Sequence, residues 1–283
     1  MPVPKCMKPF EITSIQRGCV YDGEGVRTTV FFRGCPFSCP WCCNPETLSS
    51  SRTNFIDEEK CLLKKGVESP LCVDCERKGG GVSLEHCPFG VSEPTYRSYT
   101  LEELLTMFMR DKSLYQISGG GITLSGGDPI VRVAELLPLF QALHKEGISC
   151  DIETTLYVKD GTSIRQCLPL INEWIVDLKL QPVNFRKDYD DIMIHNLTML
   201  READAKALYR LVYVESMDAK DTIVRLKKLQ VKKLQLIKCH ALAETKYRKL
   251  SLPFRSYVPS DEAYEAFLAA LNDNGMEAEK LTV

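Results

Sequence analysis

The chain has almost no net charge: 36 Lys and Arg against 38 Asp and Glu leave −2 over 283 residues. No long basic run breaks that balance, so electrostatics give no reason to expect nucleic acid. Lys227, Lys228, Lys232 and Lys233 cluster, but they read as a solvated helix face and turn. No stretch stays apolar long enough to span a bilayer, so no membrane contact is expected. The opening Met1-Pro2-Val3-Pro4-Lys5-Cys6 lacks the apolar core of a secretory signal. A disulfide scaffold is not expected either, because the chain is too long for one and its 13 cysteines are an odd number.

Cysteine is nevertheless where the chain is rich. Eight of the 13 lie between Cys35 and Cys87, which in a reducing cytosol points to metal. Cys6, Cys19, Cys150, Cys167 and Cys239 are scattered and read as small core residues or free thiols. The length, with a hydrophobic fraction of 44%, suits one large domain with a small insert.

Residues 9–27 lead in, and Asp22-Gly23-Glu24-Gly25 is rich in turn formers. Arg27–Phe32 is a β-branched and aromatic run that reads as a buried strand. Cys35, Cys39 and Cys42 follow it in a C-x3-C-x2-C loop. By itself that spacing serves zinc as well as an iron–sulfur cluster.

From about Ser49 to Pro94 periodicity fails, and Cys61, Cys72, Cys75 and Cys87 accompany Gly79-Gly80-Gly81. Four thiols with little regular structure suggest a module folded around a metal. We therefore divide the chain into a core, 1–52 and 95–283, and an insert, 53–94.

Regular structure resumes with a capping box, Thr100 and Glu103, for a helix to about Arg110. Strands are expected at Ile122–Leu124, Ser149–Glu153, Trp174–Leu178, Tyr209–Val214 and Leu234–Ile237. Helices alternate with them at about 132–146, 163–172, 185–198 and 218–229, with a last one from Ser260 to about Asn272. Pro138 should kink the first of these or move its start, and Gly147 should stop it.

Six strands alternating with helices argue for a parallel sheet with right-handed crossovers. A barrel-like sheet is the natural geometry, and an open doubly wound sheet fits the same pattern. Polar residues gather at the C-terminal ends of the strands: the Cys loop, then Gly126-Gly127-Asp128, Glu153, Asp177 with Lys179, and His240. Loops at that end converge on one mouth.

The C-x3-C-x2-C loop, with Trp41 before its last cysteine, resembles that of the radical S-adenosylmethionine (SAM) enzymes. Asn44-Pro45-Glu46-Thr47 after it and Asp22-Gly23-x-Gly25-Val26-Arg27 before it resemble the activating enzymes of glycyl radical enzymes. The resemblance runs from about residue 9 to 250. It implies a partial (β/α)6 TIM-like barrel with a ferredoxin-like insert.

It also implies that Cys35, Cys39 and Cys42 hold three irons of a [4Fe–4S] cluster whose fourth iron binds SAM. Cys43, where the subfamily commonly has His, is read as a non-ligand. SAM contacts are implied for Trp41, Gly126, Gly127, Asp128, Glu153, Asp177, Lys179, Arg210 and His240. The acidic element at Glu153 can also neighbour a monovalent cation.

Four departures from the family pattern stand out: Asp128 for Glu, Leu156 for Gly, Glu215-Ser216 for Pro-Gly, and no Gly in the stretch from His240 to Lys246-Tyr247. The insert's Cys61, Cys72, Cys75 and Cys87 suffice for an auxiliary [4Fe–4S] cluster or for structural zinc, and the cluster is the reading adopted. The implied activity is reductive SAM cleavage and hydrogen abstraction from a glycine of a partner glycyl radical enzyme. Reduced flavodoxin or ferredoxin would supply electrons to a monomer working in an anaerobic cytoplasm. Two other readings are a radical SAM enzyme for a small molecule or peptide, and a non-catalytic iron–sulfur protein that binds SAM or passes electrons.

Overall fold

The computed structural model describes residues 8–48, 50–181, 186–215 and 217–281. Met1–Cys6, Ser49 and Ser216, on which expectations fall, lie outside these residues, as does Phe185, the expected start of a helix.

The supposed lead-in opens with a ten-residue strand, β1 (Phe10–Cys19). Sequence periodicity misses it because only Phe10 and Ile12 are buried, and its second half faces solvent. It runs antiparallel to β2 (Arg27–Phe32), which forms at the expected residues.

Arg27 at the start of β2 is fully buried. It bonds to Thr123 Oγ1 at 2.7 Å, the Ile122 carbonyl at 2.7 Å and Asp151 at 3.0 Å. Gly23, at φ +125°, lets the preceding turn close over this pair, since a Cβ there would lie 2.9 Å from Arg27 Cδ.

The segment expected as an insert carries its own two-stranded sheet, β3 (Asn54–Ile56) with β4 (Ser92–Pro94). Between them lie four 3-10 turns, and each begins, ends or abuts at a cysteine: Cys61, Cys72, Cys75 and Cys87. Entry and exit strands are stitched together at a neck. There the Thr95 amide donates to the Thr53 carbonyl at 2.8 Å, and its hydroxyl donates to the same oxygen at 2.9 Å.

β5 (Arg97–Tyr99) returns to β1, and α1 (Leu101–Met109) starts at the expected capping box, with both reciprocal bonds made. α2 (Lys112–Ser118) was not foreseen. Then follow β6 (Gly121–Gly126), α3 (Val133–Lys145), β7 (Ser149–Thr154), α4 (Gly161–Cys167), β8 (Glu173–Asp177), α5 (Tyr189–Glu202), β9 (Ala207–Tyr213), α6 (Ala219–Lys228) and β10 (Lys233–Lys238). Pro138 lies inside α3, and Gly147 at φ +66° follows its end. α7 (Glu244–Lys249) and β11 (Glu277–Leu281) were also not foreseen, whereas α8 (Asp261–Asp273) follows its Ser260 cap as expected.

The large sheet has the order β11-β10-β9-β8-β7-β6-β2-β1-β5. From β2 to β11 every pairing is parallel. The six expected strands are therefore six consecutive strands of one sheet, and β11 adds a seventh. Strands covered on both faces read as continuous apolar runs, as Trp174-Ile175-Val176 does. Among the described residues no helix is long and apolar enough to cross a membrane.

Candidate metal centre

The Cys loop leaves β2 at Phe32 and is braced from the next strand. Gly127 N–H donates to the Phe32 carbonyl at 2.8 Å, and Asp128 N–H donates to the Gly34 carbonyl at 2.7 Å. Both glycines at the end of β6 are required by contact. A Cβ on Gly126 would lie 2.7 Å from the Phe31 carbonyl carbon, and one on Gly127 would lie 2.6 Å from that of Gly34. The two backbones touch, and no side chain fits between them.

Aromatic rings hold the loop from its other faces. Phe37 packs on Tyr157 and Tyr189, with ring centroids 5.2 and 6.0 Å away. The Arg186 guanidinium lies 5.0 Å from the centre of the Phe37 ring and donates to the Pro36 carbonyl. Trp41 meets Tyr257 edge to face at 5.6 Å.

A cavity of about 590 Å³ opens beside this loop. Cys35, Cys39, Trp41, Cys42, Gly126, Gly127, Glu153, Asp177, Lys179, Arg210 and His240 all line it. Five expectations about strand ends thus meet in one space, although they come from segments as far apart as residues 35 and 240.

Main-chain amides of Phe37 and Asn44 approach Cys35 Sγ and Cys42 Sγ, each at 3.4 Å. Burial pushes the Cys35 thiol up to about 12 and raises Cys42 as well, so neither is a thiolate without a cation beside it. Cys43 also lines the cavity.

The charged groups of the wall are paired. Arg210 lies in the middle of β9 rather than at its start. It reaches Glu153 Oε1 at 3.1 Å, Gln235 Oε1 at 3.1 Å and the Tyr21 carbonyl. Ser125 Oγ donates to the other Glu153 oxygen at 2.5 Å. Lys179, two residues past the end of β8, pairs with Asp177 at 2.5 Å. Burial works against the Lys179 charge, but the Asp177 carboxylate, together with any thiolate at Cys39 and Cys35, outweighs it and raises its pKa. Asp177 Oδ1 is buried without a protein partner.

Asp128 is the exception. It is 1% exposed and does not line the cavity. Its carboxylate turns instead toward the end of β7, where Thr154 and Thr155 bind it.

Two groups of contacts escape sequence reasoning. Gln16, Cys19, Tyr21 and Asp22, from β1 and its turn, form one wall of the cavity. Lys246 in α7 donates to the Cys43 carbonyl at 3.2 Å, Asn44 Oδ1 at 2.9 Å and Glu46 Oε1 at 2.6 Å, and so clasps the far end of the Cys loop. The Lys246-Tyr247 pair was visible in the sequence, but its target was not.

A family model described as a 4Fe-4S single cluster domain matches residues 21–188. The pyruvate formate-lyase 2-activating enzyme of Escherichia coli (strain K12) is 32% identical over 254 residues, spanning 84% of this chain and 80% of that protein. This chain belongs to the activating enzymes of glycyl radical enzymes. Two further relatives agree. The (2S)-3-sulfopropanediol dehydratase activating enzyme of Klebsiella oxytoca is 28% identical, covering 87% of each chain. The trans-4-hydroxy-L-proline dehydratase activating enzyme of Clostridioides difficile is 27% identical, over 92% of this chain and 94% of its own.

Membership in the activating-enzyme family brings a [4Fe–4S] cluster, and the loop fits one. Three thiols face a single cavity, two of them receive amide N–H groups, and Lys179 stands by to offset negative charge. Among the described residues no three Cys, His, Asp or Glu side chains meet closely enough to enclose a single metal ion. A four-iron cube is wider than one ion, and its ligands need only border a common space. In the segment between β3 and β4, Cys61 and Cys72 are buried while Cys75 and Cys87 are half-buried.

Proposed function

We propose that this activating enzyme cleaves SAM reductively and uses the resulting 5′-deoxyadenosyl radical to take hydrogen from a glycine of a partner glycyl radical enzyme. The observation that carries this reading is the shared cavity, where three thiols and the polar ends of four later strands face one another. Cys35, Cys39 and Cys42 would hold the cluster, which when bound supplies the electron that breaks the S–C5′ bond.

The remaining residues bind and orient. Gly126 and Gly127 offer bare backbone to the SAM amino group. Lys179 and Arg210 supply cations for its carboxylate, with Glu153 and Asp177 keeping both in place. Trp41 and His240 border the same space and suit the adenosine end. The unpartnered Asp177 Oδ1, on a residue that lines the same cavity as Glu153, suits a monovalent cation.

The parallel run β2 to β10 is read as the partial six-stranded barrel of the radical SAM type. Cys61, Cys72, Cys75 and Cys87 are proposed to hold an auxiliary [4Fe–4S] cluster, with zinc as the alternative. A reduced flavodoxin or ferredoxin would be the electron donor of a monomer in an anaerobic cytoplasm.

Anaerobic reconstitution with dithionite and SAM tests the reading. 5′-Deoxyadenosine should form, and a doublet from a glycyl radical should appear on a co-expressed partner. No 5′-deoxyadenosine from fully loaded protein would refute it. Alanine at Cys35, Cys39 and Cys42 should abolish cleavage, whereas the insert's cysteines should be dispensable for the first cluster.

A further inference from the structure

We propose that Asp128 is a positioning residue that acts on SAM from behind the cavity wall, through Thr154 and Thr155. This rests on the SAM-cleaving reading above and deepens it. Asp128 follows the two glycines that border the cavity, yet it is not itself part of the wall. Its carboxylate accepts from four donors: Ile130 N–H at 3.2 Å, Thr154 Oγ1 at 2.7 Å, Thr155 N–H at 3.1 Å and the Thr155 hydroxyl. Thr154 and Thr155 do line the cavity, beside Glu153. The carboxylate therefore fastens the end of β6 to the end of β7 and leaves nothing free to reach a ligand.

Two departures from the family pattern join here. The Leu156 N–H donates to Thr154 Oγ1 at 2.9 Å, and Leu156 has a left-handed φ of +56° although it is fully buried. A leucine pays for that conformation, and the surroundings must enforce it. Thr154, fixed by Asp128, holds the amide on one side. Asn196 Nδ2 holds the Leu156 carbonyl on the other, at 2.8 Å. Asp128 and Leu156 are thus the two ends of one hydrogen-bonded unit, with Thr154 between them. The shorter acid fits it: the carboxylate meets both hydroxyls while its own amide still braces the Cys loop.

The test is equilibrium SAM binding to reconstituted protein, with iron content and melting temperature measured alongside. Asp128→Asn and Thr154→Val should each weaken SAM binding tenfold or more at full iron loading. The double variant should bind no more weakly than the worse single one, because both changes cut the same unit. Thr154→Ser keeps the hydroxyl and should stay within twofold of wild type. Asp128→Glu should weaken binding, since the longer arm pushes the threonines out of place; a direct contact with SAM would tolerate it.

Wild-type affinity in Thr154→Val, or fully additive losses in the double variant, would overturn the proposal. If Asp128→Asn fails to load its cluster, Thr154→Val carries the test alone, because it severs one side chain and leaves the carboxylate with three donors. Failure of the wild type to bind SAM would instead sink the functional reading on which this rests.

Discussion

Replacing Gly127 with alanine should cost this protein its cluster. The added Cβ would overlap the Gly34 carbonyl oxygen and sit 2.6 Å from its carbon, where 3.4 Å is the ordinary limit, so one backbone must retreat by more than about 0.8 Å. Neither can do so freely. Gly34 lies one residue from Cys35, and Gly127 is tied to Phe32 and Asp128 to Gly34 by hydrogen bonds of 2.8 and 2.7 Å. Losing two such bonds costs about 2 kcal/mol. Overpacking a closed interface adds typically 1–3 kcal/mol.

A total near 4 kcal/mol should lower the melting temperature by about 10 °C in a chain of this size. The retreat also moves Cys35 relative to Cys39 and Cys42, so the three thiols no longer face the cavity together. Iron and sulfide after anaerobic reconstitution should therefore fall below half of wild type. Gly81→Ala is the control, because its nearest neighbour would be Asp74 Oδ2 at 3.8 Å, and it should change nothing beyond about 0.5 kcal/mol. Full cluster content and normal melting in Gly127→Ala would refute the argument that backbone contact sets this loop.

Other consequences can be checked separately. Lys246→Met removes three bonds from the loop end and leaves the buried Glu46 without its cation; we expect a loss of about 2 kcal/mol and faster iron release to a chelator, with Glu46→Gln recovering part of both. Burial pushes Asp151 up to about 7 even with Arg27 opposing it. Its folded pKa thus exceeds its unfolded one, so its contribution is intact below about pH 4 and is lost as pH rises through 7. The stability of wild type relative to Asp151→Asn should fall across that window, and a pH-independent difference would contradict the assignment. Serine at Cys61, Cys72, Cys75 and Cys87 should remove about four irons per chain and leave SAM cleavage by dithionite-reduced protein measurable. Zinc in place of those irons, read by elemental analysis, would replace the auxiliary cluster with a structural metal.

Much of the architecture was legible because buried parallel strands carry their signal in single runs. Thr28-Thr29-Val30-Phe31-Phe32 and Trp174-Ile175-Val176 need no context to read as strands. β1 and β11 gave no such signal, since few or none of their residues are fully buried and polar residues interrupt the apolar ones. The cavity was legible in outline for a related reason: its residues sit just past strand ends, so finding the strands finds the residues.

Direction was not legible. Asp128 stands in sequence where a ligand contact is expected, and only the threonines across the gap reveal that it faces away. Lys246 meets Asn44 across 202 positions, a contact that no local pattern announces.

The neck at Thr53 and Thr95 has a consequence for how such chains diversify. Because the two ends of the cysteine-bearing segment meet within one hydrogen bond, about forty residues enter and leave the core through a gap that a tight turn could close. A change of length beyond the neck should therefore leave the path of β1, β2 and β5 little altered. Lys249 to Asp57 at 2.8 Å and Arg248 to Glu59 at 3.1 Å fasten it from α7. The arrangement is that of a side compartment: among the described residues none of Cys61, Cys72, Cys75 and Cys87 lines the cavity that Cys35, Cys39 and Cys42 share.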